Sequence, residues 1–218
     1  TTKAKDSHKQ CTKTQNKKNF SRKRVKEKMG KLTNWGEGNT QGGTFARNPR
    51  DFYPTPFSAA EPLFRHLPRE PFTFAEPCAG NGILIEHFKL IKGTCVWASD
   101  IEPQGAYCQE GTKTLDFRDV TAQDVEAADY IITNPPWDRK ILHPMIEHFS
   151  EMKPTWLLFD ADWMHTKQSM SFLQNLKKVV SVGRVKWFGN MSGKDNCCWY
   201  LFHKTEEVEP IQFWGRAE

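Results

Sequence analysis

The tetrapeptide Asn134-Pro135-Pro136-Trp137 brings together groups that could act on an aromatic amine. The lone pair of such an amine is delocalised into the ring, which makes its nitrogen a poor nucleophile. If the Asn134 side-chain oxygen and the Pro135 carbonyl accepted its two hydrogens, the lone pair would localise on the nitrogen. Consecutive prolines hold that carbonyl in place, and Trp137 offers a flat face to an unstacked base. Taken alone, the tetrapeptide is more typical of a proline turn that closes a strand, with Trp137 in the core.

A second motif, Glu76-Pro77-Cys78-Ala79-Gly80-Asn81-Gly82, lies between a predicted strand and a predicted helix. Glycines at such a turn let a ligand approach the backbone, and the helix N-terminus favours polar or anionic groups. Only G-x-G is present from the phosphate-binding pattern G-x-G-x-x-G. An ordinary turn between strand and helix therefore explains this motif equally well when it is considered alone.

Two aspartates follow at the ends of the next predicted strands. Asp100 lies eighteen residues beyond Gly82, where an acid can accept both hydroxyl hydrogens of a ribose. Asp119 ends the third predicted strand and is placed to meet the edge of an adenine ring. A single aspartate at a strand end is commonly a helix cap or a solvated side chain. Together with the glycine turn, the two aspartates favour a nucleoside-binding site.

Hydrophobic periodicity predicts the elements that position these groups, as strands that alternate with helices. Such an alternation predicts an α/β fold with a mostly parallel sheet, and two closing strands without a helix between them predict an antiparallel hairpin. The predicted helices are 58–67 (with a Ser58/Glu61 capping box), 82–92 (with Gly93 as C-cap), 141–152 and about 170–176; the predicted strands are 72–76, 94–99, 114–118, 130–133, 155–159, 183–188 and 197–203.

Together these residues resemble the class I S-adenosylmethionine-dependent amino-methyltransferases, in particular the N6-adenine DNA methyltransferases with the gamma order of motifs. The resemblance covers about residues 51–204. It implies a Rossmann-like class I methyltransferase sheet, S-adenosyl-L-methionine as cofactor, and site-specific methylation of the N6 amine of adenine in DNA. A compact methyltransferase with a basic arm also resembles those carried by phages and prophages.

The resemblance assigns roles residue by residue. In this family a T-P dipeptide near the start of the domain helps to hold the methionine end of the cofactor, and Thr55-Pro56 matches it. The expected catalytic residues are Asn134, Pro135, Pro136 and Trp137, and no metal is implied. The expected cofactor-binding residues are Tyr53, Thr55, Pro56, Glu76, Pro77, Cys78, Gly80, Gly82, Asp100, Ile101, Asp119, Val120 and Asn134.

Three alternatives remain open from the sequence. DNA methyltransferases of this type usually carry a sizeable target-recognition region, whereas only about fifteen residues follow the last predicted strand. An RNA adenine methyltransferase would share every motif, and a protein glutamine methyltransferase uses a similar pocket. A non-catalytic nucleic-acid-binding relative is the third alternative. The sequence also leaves open whether methylation serves restriction, evasion of restriction or regulation.

Two aromatic residues of the closing hairpin lie where the edge of a substrate cleft is expected. One of Trp187 and Phe188 is a candidate for stacking on a target base, and Lys194 in the loop 189–195 is a weaker candidate for a phosphate contact. A position in the core of the sheet is the competing interpretation for these aromatics, and the one that we favour for Trp199 and Phe202.

Charge is distributed unevenly along the 218 residues. Residues 1–30 carry eleven Lys or Arg and two acidic residues, a net charge of +9, while the remainder carries −4. We interpret 1–30 as a disordered basic tail, 31–50 as a linker and 51–218 as the methyltransferase domain. Nucleic acid is the expected partner.

The chain has no apolar run of the roughly 20 residues that a bilayer-spanning helix needs. Its cysteines form no C-x-x-C pair, which favours a reduced intracellular protein without a zinc cluster. The expected location is the cytoplasm, that of the host cell if the protein is phage-encoded. The cysteines are Cys11, Cys78, Cys95, Cys108, Cys197 and Cys198.

The basic tail leads to a prediction about salt dependence. If about four of its cations contact phosphates, deleting residues 1–30 should reduce the slope of log K against log salt by about 3.6. We expect weaker duplex binding at low salt, with unchanged cofactor affinity and thermal stability. Fluorescence anisotropy over a salt series measures this slope. Identical slopes for the full chain and for the variant without residues 1–30 would show that the tail does not bind nucleic acid.

Overall fold

The part of the chain that the structure describes is built around one sheet. The computed structural model describes residues 52–105, 111–187, 196–206 and 209–216. The predictions for the basic tail, the linker, Phe188 and Lys194 lie outside these ranges. The strands are β1 Phe72–Glu76, β2 Gly93–Asp100, β3 Lys113–Thr114, β4 Tyr130–Thr133, β5 Thr155–Asp160, β6 Leu176–Arg184, β7 Asn196–Phe202 and β8 Gln212–Trp214.

The eight strands lie in the order β3-β2-β1-β4-β5-β7-β6-β8. Strands β3, β2, β1, β4 and β5 are parallel, and β7 is antiparallel to both of its neighbours, β5 and β6. This arrangement confirms the predicted Rossmann-like α/β class with a C-terminal antiparallel hairpin. The chain order reverses between β1 and β4, and ligands of open α/β sheets bind outside the carboxyl ends of the strands at such a point.

Within the described residues, three α-helices accompany the sheet: α1 Phe57–Ala60, α2 Ile83–Lys89 and α3 Arg139–Met152. The α3 helix begins where the Asp138 side chain accepts a hydrogen bond from the Lys140 amide, at 3.0 Å. It buries Leu142, Met145, Ile146 and Phe149, whose spacing places them on one face. None of the helices in the described ranges is long and apolar enough to cross a membrane.

Aromatic side chains fill the core on both sides of the sheet. Trp199 is fully buried in the cluster that includes Phe74 and Phe88, and its indole N–H donates to the Ala59 carbonyl at 2.7 Å. Phe202 is fully buried in a second cluster with Trp163 and Tyr200. The prediction that Trp199 and Phe202 belong to the core is therefore confirmed.

Both predicted helix caps are wrong. The first helical segment continues from α1 as a 3-10 helix over Glu61–His66, and its N-cap is Pro56 with no side-chain hydrogen bond, so Ser58 and Glu61 form no capping box. Helix α2 ends at Lys89, and the left-handed residue after it is Lys92, with φ 70°, rather than Gly93. Gly93 instead begins β2, where a Cβ atom would lie 2.8 Å from the Phe72 ring.

Three other predicted elements differ from the structure in their bounds or in their type. The strand predicted at 114–118 is only Lys113–Thr114, and a 3-10 helix follows at Phe117–Asp119. The helix predicted at 170–176 is wrong, because 3-10 turns occupy this stretch and Leu176 already pairs with Phe202. The strand predicted at 183–188 therefore begins at Leu176. No pattern predicted β8, which pairs with β6 in parallel.

Candidate active site

A cavity of about 460 Å³ opens at the carboxyl ends of β1, β2 and β4. Its volume lies within the range of about 300–1,000 Å³ that is usual for small-molecule sites. The lining comes from four stretches that are far apart in the sequence: the segment before α1, the glycine turn after β1, the end of β2 with the 3-10 segment beyond it, and the tetrapeptide after β4. The sheet topology therefore brings together the motifs that the sequence analysis singled out.

Most of the predicted site residues line this cavity, and six of them do not. The predicted residues that line it lie in the segment before α1, in the glycine turn after β1, and at or just after the ends of β1, β2 and β4. Those that line it are Tyr53, Thr55, Glu76, Pro77, Cys78, Gly80, Asp100, Ile101, Asn134 and Pro136; those that do not are Pro56, Gly82, Asp119, Val120, Pro135 and Trp137.

Glu76 provides a buried carboxyl group in the cavity wall. Its side chain is 1% exposed, and its Oε2 atom has no hydrogen-bond partner among the described residues. Burial, reinforced by the neighbouring Asp100 carboxylate, raises the pKa of Glu76 well above its usual range. A buried acceptor without a partner costs free energy, so a ligand with a donor or a positive charge would gain by binding there.

Asp100 organises the glycine turn. Its Oδ2 accepts a hydrogen bond from the Gly80 amide at 2.7 Å, and its Oδ1 accepts one from the Glu102 amide at 2.8 Å. Gly80 has φ 54°, and a Cβ atom there would lie 3.0 Å from the Phe52 ring, so this position requires glycine. Each carboxylate oxygen has a further acceptor site, so Asp100 can hold the turn and still accept from a ligand.

The acid placed beside the cavity after β3 is Asp116 rather than Asp119. Asp119 is exposed and Val120 is buried away from the cavity, because the chain turns into a 3-10 helix instead of continuing the predicted strand. Asp116 lines the cavity, and its carboxylate binds the Arg118 guanidinium at 3.0 Å. A shift of three residues could not be foreseen from the sequence, since both positions carry Asp.

Asn134 is tied to the segment before α1 by both hydrogens of its amide. Its Nδ2 donates to the Thr55 hydroxyl at 3.1 Å and to the Tyr53 carbonyl at 3.3 Å. The indole N–H of Trp137 lies 3.4 Å from the Asn134 Oδ1 and donates at 3.2 Å to the Leu158 carbonyl. These bonds fix the amide plane, and Oδ1 keeps a second acceptor site on a residue that lines the cavity.

The histidine behind this segment was not singled out in the sequence. His87 is buried, and its Nε2 donates to the Thr55 carbonyl at 3.0 Å, so the neutral ring carries its proton on Nε2. Its Nδ1 is buried without a partner among the described residues. Burial lowers the pKa of His87, more than the hydrogen bond to Thr55 and the charge of Glu86 raise it. The ring thus supports the residue that holds Asn134.

Three aromatic rings form a cluster next to the cavity. Trp187 meets Trp137 edge to face, with ring centroids 5.8 Å apart, and meets Tyr53 in the same manner at 6.1 Å. Trp137 is half-buried and also packs against the core, so its ring belongs both to the core margin and to this cluster. Trp187 packs against the same core cluster and does not line the cavity, so it lies at the margin of the core, beside the candidate site.

The cavity carries a marked excess of acidic side chains. Five carboxyl groups line it, against a single guanidinium, that of Arg118, which is already paired with Asp116. Such a lining attracts a cationic ligand and disfavours an anionic one. The acidic groups are Glu76, Asp100, Glu102, Asp116 and Asp138.

No protein-family model matches the chain, and no curated protein matches it. Among solved structures, a Pyrococcus horikoshii protein described as an RNA methyltransferase is 13% identical over 82% of this chain and 98% of that chain, with a TM-score of 0.46. A dimethyladenosine transferase of Plasmodium falciparum is 17% identical over 70% and 63% of the two chains, with a TM-score of 0.45. Likeness of this degree carries no functional argument, which has to come from the cavity itself.

The buried His87 leads to a prediction about acid stability. Because the fold lowers the pKa of His87, the unfolded chain binds a proton more readily, and folding stability is lost as the pH falls below about 6.5. We expect His87→Gln to lose less unfolding free energy than the wild type between pH 7 and pH 5, in urea titrations at each pH.

Other histidines contribute to the acid loss of the wild type, so the comparison needs a matched variant. His165→Gln removes an exposed imidazole and keeps His87. This control should retain the acid loss of the wild type. If His87→Gln and His165→Gln depend on pH in the same way, the role assigned to the buried ring is wrong.

Proposed function

We propose that this protein transfers a methyl group from S-adenosylmethionine to the N6 amine of adenine in DNA. The observation that carries the proposal is the anchored amide of Asn134, whose two N–H groups are taken by Tyr53 and Thr55. An amide held in this way presents its oxygen, the acceptor that an aromatic amine needs. Acidic side chains, among them the buried Glu76, line the same cavity.

The residues of the cavity fit the cofactor. S-adenosylmethionine carries a positively charged sulfur and an ammonium group, which match a lining that is acidic and contains an unpartnered Glu76 oxygen. When bound, it supplies a methyl group that is already activated by the positive charge of the sulfur. The Asp100 carboxylate would accept from the ribose hydroxyls, and Asp116 lies where the predicted adenine-edge acid was expected.

Asn134 acts on the amine that receives the methyl group. Accepting an N–H hydrogen bond at Oδ1 would localise the lone pair on the nitrogen. As that nitrogen bonded to the methyl carbon, the carbon–sulfur bond would break, the neutral thioether would leave, and the methylated nitrogen would lose one proton to water. The sequence predicts the Pro135 carbonyl as the second acceptor, but Pro135 is buried and does not line the cavity, so the proposal depends on the Asn134 oxygen. Positioning supplies most of the rate, since two reactants held in line avoid the entropic cost of a bimolecular encounter.

The substrate is assigned by one comparison of acceptors. Labelled cofactor would be supplied with duplex DNA, RNA and an unfractionated protein substrate in parallel, and nucleosides from the digests would be identified by mass spectrometry. N6-methyladenine in the DNA digest supports the proposal. Label confined to RNA would assign the RNA alternative, and label confined to glutamine in protein would overturn a nucleic-acid substrate.

The role of Asp100 predicts a loss of cofactor affinity. Removing its carboxylate deletes hydrogen bonds to a charged group, which are worth about 1.5–3 kcal/mol. We expect Asp100→Ala to weaken S-adenosylmethionine binding at least tenfold in calorimetry. Asp162→Ala removes an exposed carboxylate outside the cavity and should bind as the wild type does. Unchanged affinity in Asp100→Ala would remove the ribose assignment.

Asn134→Ala should separate catalysis from cofactor binding. Its side chain faces the amine, so we expect kcat to fall about 100-fold or more, the usual effect of deleting one aligned polar group. Cofactor affinity should stay within a few fold of the wild type. Asn175→Ala, which removes an amide remote from the cavity, is the matched control. Full turnover by Asn134→Ala would contradict the mechanism, and a large loss of cofactor binding would assign Asn134 a structural role.

A further inference from the structure

The outer edge of the sheet, away from the cavity, carries a group of basic and aromatic side chains that the proposed reaction does not use. We call this group the edge patch; it consists of Arg65, His66, Lys178, Trp214 and Arg216. Trp214 is 50% exposed although it is a large aromatic residue, and Arg65 and Arg216 are exposed. An exposed tryptophan beside several cations presents a stacking face together with positive charge.

The members of the edge patch are held together by the pairing of β8 with β6. Trp214 pairs in register with Val180, two residues beyond Lys178. Its ring meets the His66 ring edge to face, with centroids 5.1 Å apart. The Arg216 guanidinium lies over β6, because a Cβ atom on Gly183 would be 3.3 Å from Arg216 Nη1. The edge patch is therefore one contiguous surface.

The positive charge of the edge patch is not neutralised by the described acidic residues. Ion pairs in the described ranges involve Lys89, Lys113, Arg118 and Lys204, and none involves a cation of the edge patch. The pKa of His66 is lowered by burial and then by the charges of Lys178 and Arg65, with no carboxylate acting in the opposite direction. This surface is thus complementary to an anion, in contrast to the acidic cavity.

The edge patch leads toward the candidate active site. Strands β6 and β8 are parallel to each other and run in the direction of β1, β4 and β5, so their carboxyl ends lie at the edge of the sheet that carries the cavity. Just beyond β6 lies Trp187, whose ring contacts Trp137 and Tyr53 beside the cavity. A polymer that follows β6 from the edge patch would reach the cavity opening.

We propose that the edge patch binds a single-stranded stretch of nucleic acid that flanks the target adenine. Arg65, Lys178 and Arg216 would contact phosphates, and Trp214 would stack on an unpaired base. Proteins that bind single strands without sequence preference combine cations, which contact the phosphates, with aromatic rings, on which the bases stack. The inference rests on the proposed function for the identity of the polymer, and it adds a second contact region to that site.

The test measures binding by the full chain with no cofactor present. Fluorescence anisotropy would follow single-stranded DNA and RNA oligonucleotides of about 20 nucleotides, enough to extend beyond one such binding region. We expect the double variant Arg65→Gln, Lys178→Gln to lower the slope of log K against log salt by about 1.4, for two lost phosphate contacts on a single strand. We expect Trp214→Ala to weaken binding fivefold or more.

Matched variants keep this test specific. The double variant Lys92→Gln, Lys153→Gln removes the same charge outside the edge patch, at the amino ends of β2 and β5, and should leave the slope unchanged. Trp214→Phe retains a stacking ring and should recover most of the affinity that Trp214→Ala loses. Thermal melting checks that each variant is folded. We expect the Trp214 variants to remain folded because this side chain is half-exposed.

The outcomes separate the edge patch from the proposed function. Edge variants that bind both single strands as the wild type does overturn the inference even if the protein methylates adenine. If the edge variants lose single-strand affinity while the wild type transfers no methyl group to nucleic acid, the edge patch stands and the proposed reaction fails. Preference for the DNA or the RNA oligonucleotide identifies which polymer the edge patch serves.

Discussion

The pair of hydrogen bonds from Asn134 to Thr55 and Tyr53 is the constraint on which the candidate site depends. It joins the carboxyl end of β4 to a segment about 80 residues earlier in the chain, and so closes one side of the cavity. Without it the amide could rotate and present nitrogen instead of oxygen to a substrate amine. His87 supports the arrangement from behind by binding the Thr55 carbonyl. The positions of these groups are therefore coupled, and Asn134 has one orientation because the backbone before α1 has one path.

The strands around the cavity were predictable from the sequence because burial on both faces leaves a plain signal. Strands β1 and β4 begin and end where their apolar runs do, and most of their residues are fully buried. The segment after β3 carries a misleading signal. Leu115 and Phe117 alternate with the polar residues Thr114 and Asp116, as they would in a half-buried strand. Asp116 caps a 3-10 helix there instead. Hydrogen bonding over two or three residues decided which aspartate faces the cavity, and periodicity does not detect that.

The closing part of the chain shows a different reason for failure. Met170, Leu173 and Leu176 have helical spacing, yet Met170 is 71% exposed and Leu176 belongs to β6. The spacing came from successive 3-10 turns, which share an i, i+3 repeat with the α-helix. Strand β8 has only three residues and is exposed along its length, so no pattern of burial marks it. Its place in the sheet comes from pairing with β6, a long-range contact that local sequence does not encode.

Two surfaces of the described molecule differ in charge: the cavity is acidic and the edge patch is basic. Strand β6 runs from the edge patch toward the cavity. The cavity gathers carboxyl groups that suit a cationic cofactor, and such a field would repel the phosphates of a nucleic acid. A polyanionic substrate must therefore be held by some other part of the protein while one base approaches the cavity. Arg65, Lys178 and Arg216 form no ion pair with a described acidic residue, and they lie on the 3-10 helix that ends at His66, on β6 and just after β8. Because Trp187 follows β6 and packs on Trp137, the strand that carries the cations also builds the aromatic wall beside Asn134. If the protein has the proposed function, the acidity of the cavity thus accounts for a separation between the place where the substrate backbone would bind and the place where its base would react.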